Sequence, residues 1–149
     1  MFTIEQVDDI IIKKDGIDFM KVKRKFGWGV TSRFYRNDNL LLETWLFTAA
    51  FYMKVKVKTQ SIPQVIEMRK EGGQFYKMYY GDNDLSLELK YFRKPPFIIY
   101  KNAFEVAKIG PQRLVTFGGR SFKMESDIKD DDENTLLLMF FLMQLREFS

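Results

Sequence analysis

The residues best placed to do chemistry are two rows of bases. Lys54, Lys56 and Lys58 alternate with Met53, Val55 and Val57, so in an extended strand the ammonium groups share one face at intervals of roughly 6–7 Å. Lys21, Lys23, Arg24 and Lys25 form a second group and run into the aromatic turn Phe26-Gly27-Trp28-Gly29. Such rows attract phosphate, and each near-surface base contributes about 1 kcal/mol on an anionic membrane. Trp28, if exposed, would sit at the lipid interface while the bases hold headgroups. Both rows also fit a plainer role, with lysines solvating an outer sheet face and discouraging edge-to-edge association, and Trp28 packed on the body of the domain.

Other chemistry finds less material. The chain has no histidine and no cysteine, which removes the commonest general base, the commonest transition-metal ligand and any disulfide framework. A bound metal would have to be a hard cation on oxygen ligands. The acidic run Asp130-Asp131-Asp132-Glu133 lacks the spacing and glycine turn of an EF-hand loop, so no metal site and no cofactor are expected. Gly27-Trp28-Gly29 lacks the context of a phosphate loop, and no nucleophile elbow is present. Asp82 and Asp84 form a carboxylate pair, but Gly81-Asp82-Asn83-Asp84 is also what a hairpin turn requires. An enzyme is not expected. Phe75, Tyr76, Tyr79 and Tyr80 with Lys77 fit nucleic-acid stacking only loosely, and no nucleic-acid partner is expected.

The elements that carry these residues are short strands. Twelve are predicted, at 7–13, 18–25, 30–36, 40–48, 51–58, 65–70, 74–80, 85–91, 97–101, 104–109, 113–117 and 121–125, separated by turn residues such as Asp15-Gly16, Asn37-Asp38-Asn39 and Pro95-Pro96. Segment 40–51, from Leu40 to Phe51, has the length and composition of a helix; its continuity with the alternation after it favours a strand. The exception to the β pattern comes at the end. Leu136 to Met143 is a run of eight apolar residues entered through the acidic cluster. Asp130 and Glu133 have the spacing of a capping box, and the carboxylates complement the helix dipole. A helix apolar on every face must be covered on every face, and this one is far shorter than the roughly 20 residues that span a bilayer.

Fifteen phenylalanines among 149 residues supply a large core, and the length suits one domain. Charge is uneven. From Asp127 onward six acids face only Lys129 and Arg146, so the net +4 of the chain conceals a more basic body. The start has no basic segment followed by an apolar one, so no signal peptide is expected. A cytoplasmic protein, peripheral on the inner membrane face where it meets lipid, is the expectation.

Three stretches, Tyr35-Arg36-Asn37-Asp38-Asn39-Leu40-Leu41, Lys101-Asn102-Ala103-Phe104-Glu105-Val106-Ala107-Lys108-Ile109-Gly110 and Phe122-Lys123-Met124-Glu125 with the acid-capped helix, resemble elements of the tubby C-terminal-like superfamily. That group includes tubby, the phospholipid scramblases and the compact LURP-one-related proteins, to which the length is most similar. The resemblance implies a mainly β fold over residues 1–149, an antiparallel closed barrel of about twelve strands enclosing a C-terminal hydrophobic helix. It also implies phosphoinositide recognition, although no headgroup pocket carries over residue by residue. The expected function is a non-enzymatic module binding anionic phospholipid headgroups through Lys21, Lys23, Arg24, Lys25, Lys54, Lys56 and Lys58, with Trp28 at the interface. The alternatives are a barrel carrying a small apolar ligand and a structural or protein-interaction domain with no ligand.

Overall fold

A computed structural model of the chain describes residues 1–6, 8–49, 52–112 and 120–145. Twelve strands and one helix follow in order: β1 (Phe2–Gln6), β2 (Ile10–Lys14), β3 (Ile17–Gly27), β4 (Gly29–Arg36), β5 (Asn39–Ala49), β6 (Tyr52–Gln60), β7 (Ile66–Arg69), β8 (Lys77–Tyr80), β9 (Asn83–Leu89), β10 (Phe97–Lys101), β11 (Phe104–Pro111), β12 (Arg120–Ser126) and α1 (Asp131–Leu142). The strands form one antiparallel sheet in the order β6-β5-β4-β3-β2-β1-β12-β11-β10-β9-β8-β7. The two terminal strands meet at a seam, making a nearly closed barrel. There the Gln60 side chain does the work of a ladder: it accepts from the Ile66 N–H at 2.9 Å and donates to the Ile66 carbonyl at 3.3 Å.

The strand reading holds with some shifted bounds, β8 starting only at Lys77 and β9 stopping at Leu89, and with three larger amendments. Segment 40–51 is the strand β5 as far as Ala49, with residues 50 and 51 outside the described set. The first strand, β1, was missing from the expectation, although Phe2 and Ile4 alternate with polar neighbours and both are buried. The strand expected at 113–117 lies outside the described residues.

Period-2 alternation explains the core. Val22, Phe34, Leu42, Leu85 and Ile109, each fully buried, belong to one hydrophobic cluster that also contains every residue from Leu136 to Met143. No residue of that helical run is more than 6% exposed, which is what an apolar helix without a polar face requires. Phe141 touches the Phe97 ring of β10 at 5.1 Å and the Phe122 ring of β12 at 6.1 Å between centroids. Buried polar groups on the helix are satisfied, as burial demands. Asn134 accepts from the Ser126 hydroxyl and donates to the Ile128 carbonyl. Gln144 accepts from the Tyr76 N–H at 2.7 Å and donates to the Phe140 carbonyl at 3.1 Å.

Both helix ends are tied to strands. The Asp130 side chain caps the start by accepting from the Asp132 N–H. The other acids reach outward: Asp131 to Lys14 of β2 at 2.6 Å, Asp132 to Arg36 of β4 at 3.0 Å, and Glu133 to Lys101 of β10 at 2.9 Å. Glu133 was expected to complete a capping box. Instead both its oxygens lie within 3.0 Å of the Lys101 ammonium. The acidic cluster is therefore a three-point clasp as well as a dipole complement. Replacing Phe140, fully buried in the helix, by Ala should cost about 3–5 kcal/mol in urea unfolding. A loss under about 1 kcal/mol would show that the ring lies outside a packed core.

Candidate functional site

Ladder register places the two lysine rows on the same sheet face. In β3 the buried residues Met20 and Val22 alternate with exposed Lys21, Lys23 and Lys25. Across the sheet Lys25 lies opposite Thr31, Thr31 opposite Trp45, and Trp45 opposite Lys56. One step to one side, Lys23 faces Arg33, Arg33 faces Glu43 and Glu43 faces Thr59; one step to the other, Phe47 faces Lys54. Directly paired residues share a face, so bases on β3 and β6 flank a central strip on β4 and β5. With strands about 4.8 Å apart, the rows stand about 14 Å from each other. Glu43 is the one acid in these paired positions, and it is bonded to Arg33 at 3.3 Å.

Arg24 leaves the expected group. It falls in register with Met20 and Val22, on the inner face, and donates to the carbonyls of Leu142 and Leu145 at 2.7 and 2.5 Å. The helix has no base in its own last turn, and Arg24 supplies that charge from β3, where it complements the negative end of the helix dipole. Burial pushes the guanidinium down to about 10, which leaves it protonated at neutral pH. Its role in this structure is to hold the helix, so it does not present a charge with Lys21, Lys23 and Lys25.

The strip between the rows is aromatic. Trp28, at the tip between β3 and β4, is 87% exposed. Its ring stacks on Phe47 at 6.3 Å, Phe47 stacks on Trp45 at 5.9 Å, and Tyr52 meets Phe47 edge-on at 6.3 Å. The Trp45 indole N–H donates to the Trp28 carbonyl at 3.0 Å. Gly29 makes this approach possible: its φ is +101°, and a Cβ there would lie 2.5 Å from Trp45 Nε1. Lys56 sits over the Trp45 ring at 5.9 Å and Lys23 over Tyr35 at 5.7 Å. Sequence reasoning found Trp28 but missed Trp45 and Phe47, which were absorbed into the ambiguous segment 40–51.

Beyond Lys23 the same face becomes mixed. Lys21 is paired with Asp9 at 3.4 Å, and an open groove of about 500 Å³ brings Lys21, Lys23 and Tyr35 beside Asp18 and Asp38. A second cavity, of about 260 Å³, lies at the helix start between Arg36, Leu41, Ile62, Asp132, Leu136 and Met139. Among the described residues no group of three or more acids is arranged to hold a metal ion, and no helix is long and apolar enough to cross a membrane. The aromatics weighed for nucleic-acid stacking do not form one exposed platform, because Phe75 and Tyr80 are buried. Burial raises the Tyr80 phenol to about 12, with Glu133 and Asp84 adding to the shift.

Removing the Arg24 side chain by Arg24→Ala deprives two helix-end carbonyls of a charged donor. The expected loss is about 2–3 kcal/mol in denaturant unfolding. A variant within about 0.5 kcal/mol of the parent would show that these contacts do not hold the helix. Comparison with family models, curated proteins and solved structures gives no match for this chain.

Proposed function

We propose that the chain is a non-enzymatic module of tubby-like architecture that binds anionic phospholipid headgroups through the outer face of β3–β6. The observation that carries this reading is the convergence of Lys23 and Lys25 with Lys54 and Lys56 on one face, separated by the Trp28–Phe47–Trp45 strip, with Lys21 and the exposed Lys58, which falls at a register shift, farther along the same strands. A planar array of flexible ammonium groups suits a surface of phosphates better than a single enclosed anion, because each lysine is a point charge on a mobile stem. Aromatic rings with one wet edge suit the boundary between headgroups and acyl chains. A cytoplasmic location at an inner membrane face belongs to the same proposal, since that leaflet carries the anionic lipid.

The carrier alternative has less support. The cavity at the helix start, about 260 Å³, is smaller than the roughly 300–1,000 Å³ of most small-molecule sites. The apolar residues that would line a lumen pack into the same cluster as the helix.

Sedimentation with vesicles containing phosphatidylserine, compared with phosphatidylcholine vesicles, tests the reading. Preferential binding to the anionic vesicles, weakened by salt, is expected. Replacing Lys54 and Lys56 together by Gln should remove about 2 kcal/mol, roughly a thirtyfold loss of affinity. Equal binding to both vesicle types, or none to either, would refute it.

A further inference from the structure

The turns at one end of the barrel carry a separate set of exposed aromatics. Register identifies that end. Gly27 pairs with Gly29, Ala49 with Tyr52, Gln6 with Ile10 and Arg120, and Phe97 with both Leu89 and Ile109. The β3–β4 tip, the start of β6 and the β9–β10 connection therefore lie at the same end. Phe26, Trp28 and Tyr52 are exposed there, and Tyr91 and Phe92 are exposed on the β9–β10 connection that leaves the sheet at that end, Tyr91 at 77% and Phe92 completely. Tyr91 had been expected to continue the inward alternation of Leu85, Leu87 and Leu89, but β9 stops at Leu89.

The β9–β10 connection is held in shape. Lys90 N–H donates to the Pro96 carbonyl at 2.8 Å, Arg93 N–H donates to the Lys90 carbonyl at 3.1 Å, and the Arg93 side chain pairs with Glu105 at 2.9 Å. Pro95 lies over Gly110, where a Cβ would come within 2.7 Å of the Pro95 Cβ. Ile98, next to the inward-facing Ile99, is fully buried although it is absent from the main core cluster. The connection thus folds back on the outer surface and presents Tyr91 and Phe92 from a fixed base. Two adjacent aromatics held in water by a braced loop cost stability that a purely structural turn has no reason to bear.

Charge gives the occupant. Lys25, Lys54, Lys70, Lys90 and Lys94 stand near these aromatics in the chain or in register. Against them at this end stand Asp8, Asp9, which is paired with Lys21, and Glu71, which accepts from the Tyr79 hydroxyl and keeps its charge. The opposite end collects Asp15, Asp38, Asp82, Asp127 and Asp130 in its turns, with Asp84 at the start of β9 and Asp15 paired with the Met1 amino group; of its bases, Lys14, Arg36 and Lys101 are taken by the helix clasp and Lys129 stands among the acids. The barrel is charged unlike at its two ends, and the aromatics are on the basic one.

We infer that this end is a membrane-insertion rim: Trp28 and the Tyr91–Phe92 pair enter the interface of an anionic bilayer, with the barrel axis steep to the surface and the acidic end directed away. The inference rests on the lipid reading above but replaces face-on contact with an end-on one, in which Lys25 and Lys54, the bases of the two rows nearest the tip, meet the headgroups. It adds a contact on β9–β10 that the β3–β6 face does not include. A face-on orientation would leave Tyr91 and Phe92 out of contact, since β9 and β10 lie six strands from β3 and β4 in the sheet order.

The test uses vesicles of phosphatidylcholine with about a quarter phosphatidylserine, a composition that resembles an anionic leaflet. Tyr91→Ser with Phe92→Ser removes two rings that make no core contact, and should lower vesicle affinity by about tenfold or more while the salt dependence is retained. Trp28→Ser should act in the same direction. Unchanged affinity in the Tyr91/Phe92 variant, with loss in the Lys54/Lys56 variant, would overturn the rim and leave face-on binding standing. Absence of binding by the parent chain would overturn both. A parent chain that ignores lipid but is captured through Phe92 by a protein would also overturn the rim.

Discussion

The structure depends on one constraint: a helix with no polar face has to be covered all the way round. Leu136 to Met143 offers water nothing to bond, and all eight residues are buried members of the core cluster formed with the strands. Apolar contacts alone do not fix the helix along its axis, because they are non-directional. Polar ties do. Lys14, Arg36 and Lys101 hold the acidic start, while Arg24 and the Tyr76–Gln144 bond hold the finish. Surface ion pairs are weak singly; spread over three strands, they specify where the helix sits more than they stabilise it.

Much of this was legible in the sequence. Alternation located most strands, and the uninterrupted apolar run identified the helix. Tertiary pairings were less legible. Glu133 and Lys101 meet across 32 positions, and local spacing favoured the capping box because it needs no knowledge of register. The Arg24 error was avoidable. Met20, Val22 and Arg24 follow the period that puts Lys21, Lys23 and Lys25 outside, yet grouping four bases by type hid it. Trp45 and Phe47 were harder to place, because the leucine-rich segment around them carries helical and strand signals together. Tyr91 was read by alternation as the end of a strand 85–91; nothing local reveals that β9 stops at Leu89 and that the connection leaves Tyr91 and Phe92 exposed.

Assigning the apolar helix to the core changes how the rest of the surface is understood. Hydrophobic attachment to a bilayer would then come from rings on loops, and electrostatic attachment from lysines on the sheet. These two contributions respond differently to salt, since screening weakens the charges and leaves the rings unaffected. Their placement also differs. The lysine rows extend along β3 and β6, whereas the exposed rings lie on the β3–β4 tip, the start of β6 and the β9–β10 connection. On the proposed lipid reading, a gradient of charge along the barrel would orient it before contact, and the rings would then fix it.

The account requires the helix to stay in the core when the protein meets lipid. Amide hydrogen exchange over residues 136–143, measured with and without anionic vesicles, addresses this directly. The expected result is slow exchange in both conditions, at the rate of global unfolding, as for a segment whose side chains are all buried. Accelerated exchange there on adding vesicles, with the helix leaving the sheet for the bilayer, would contradict it.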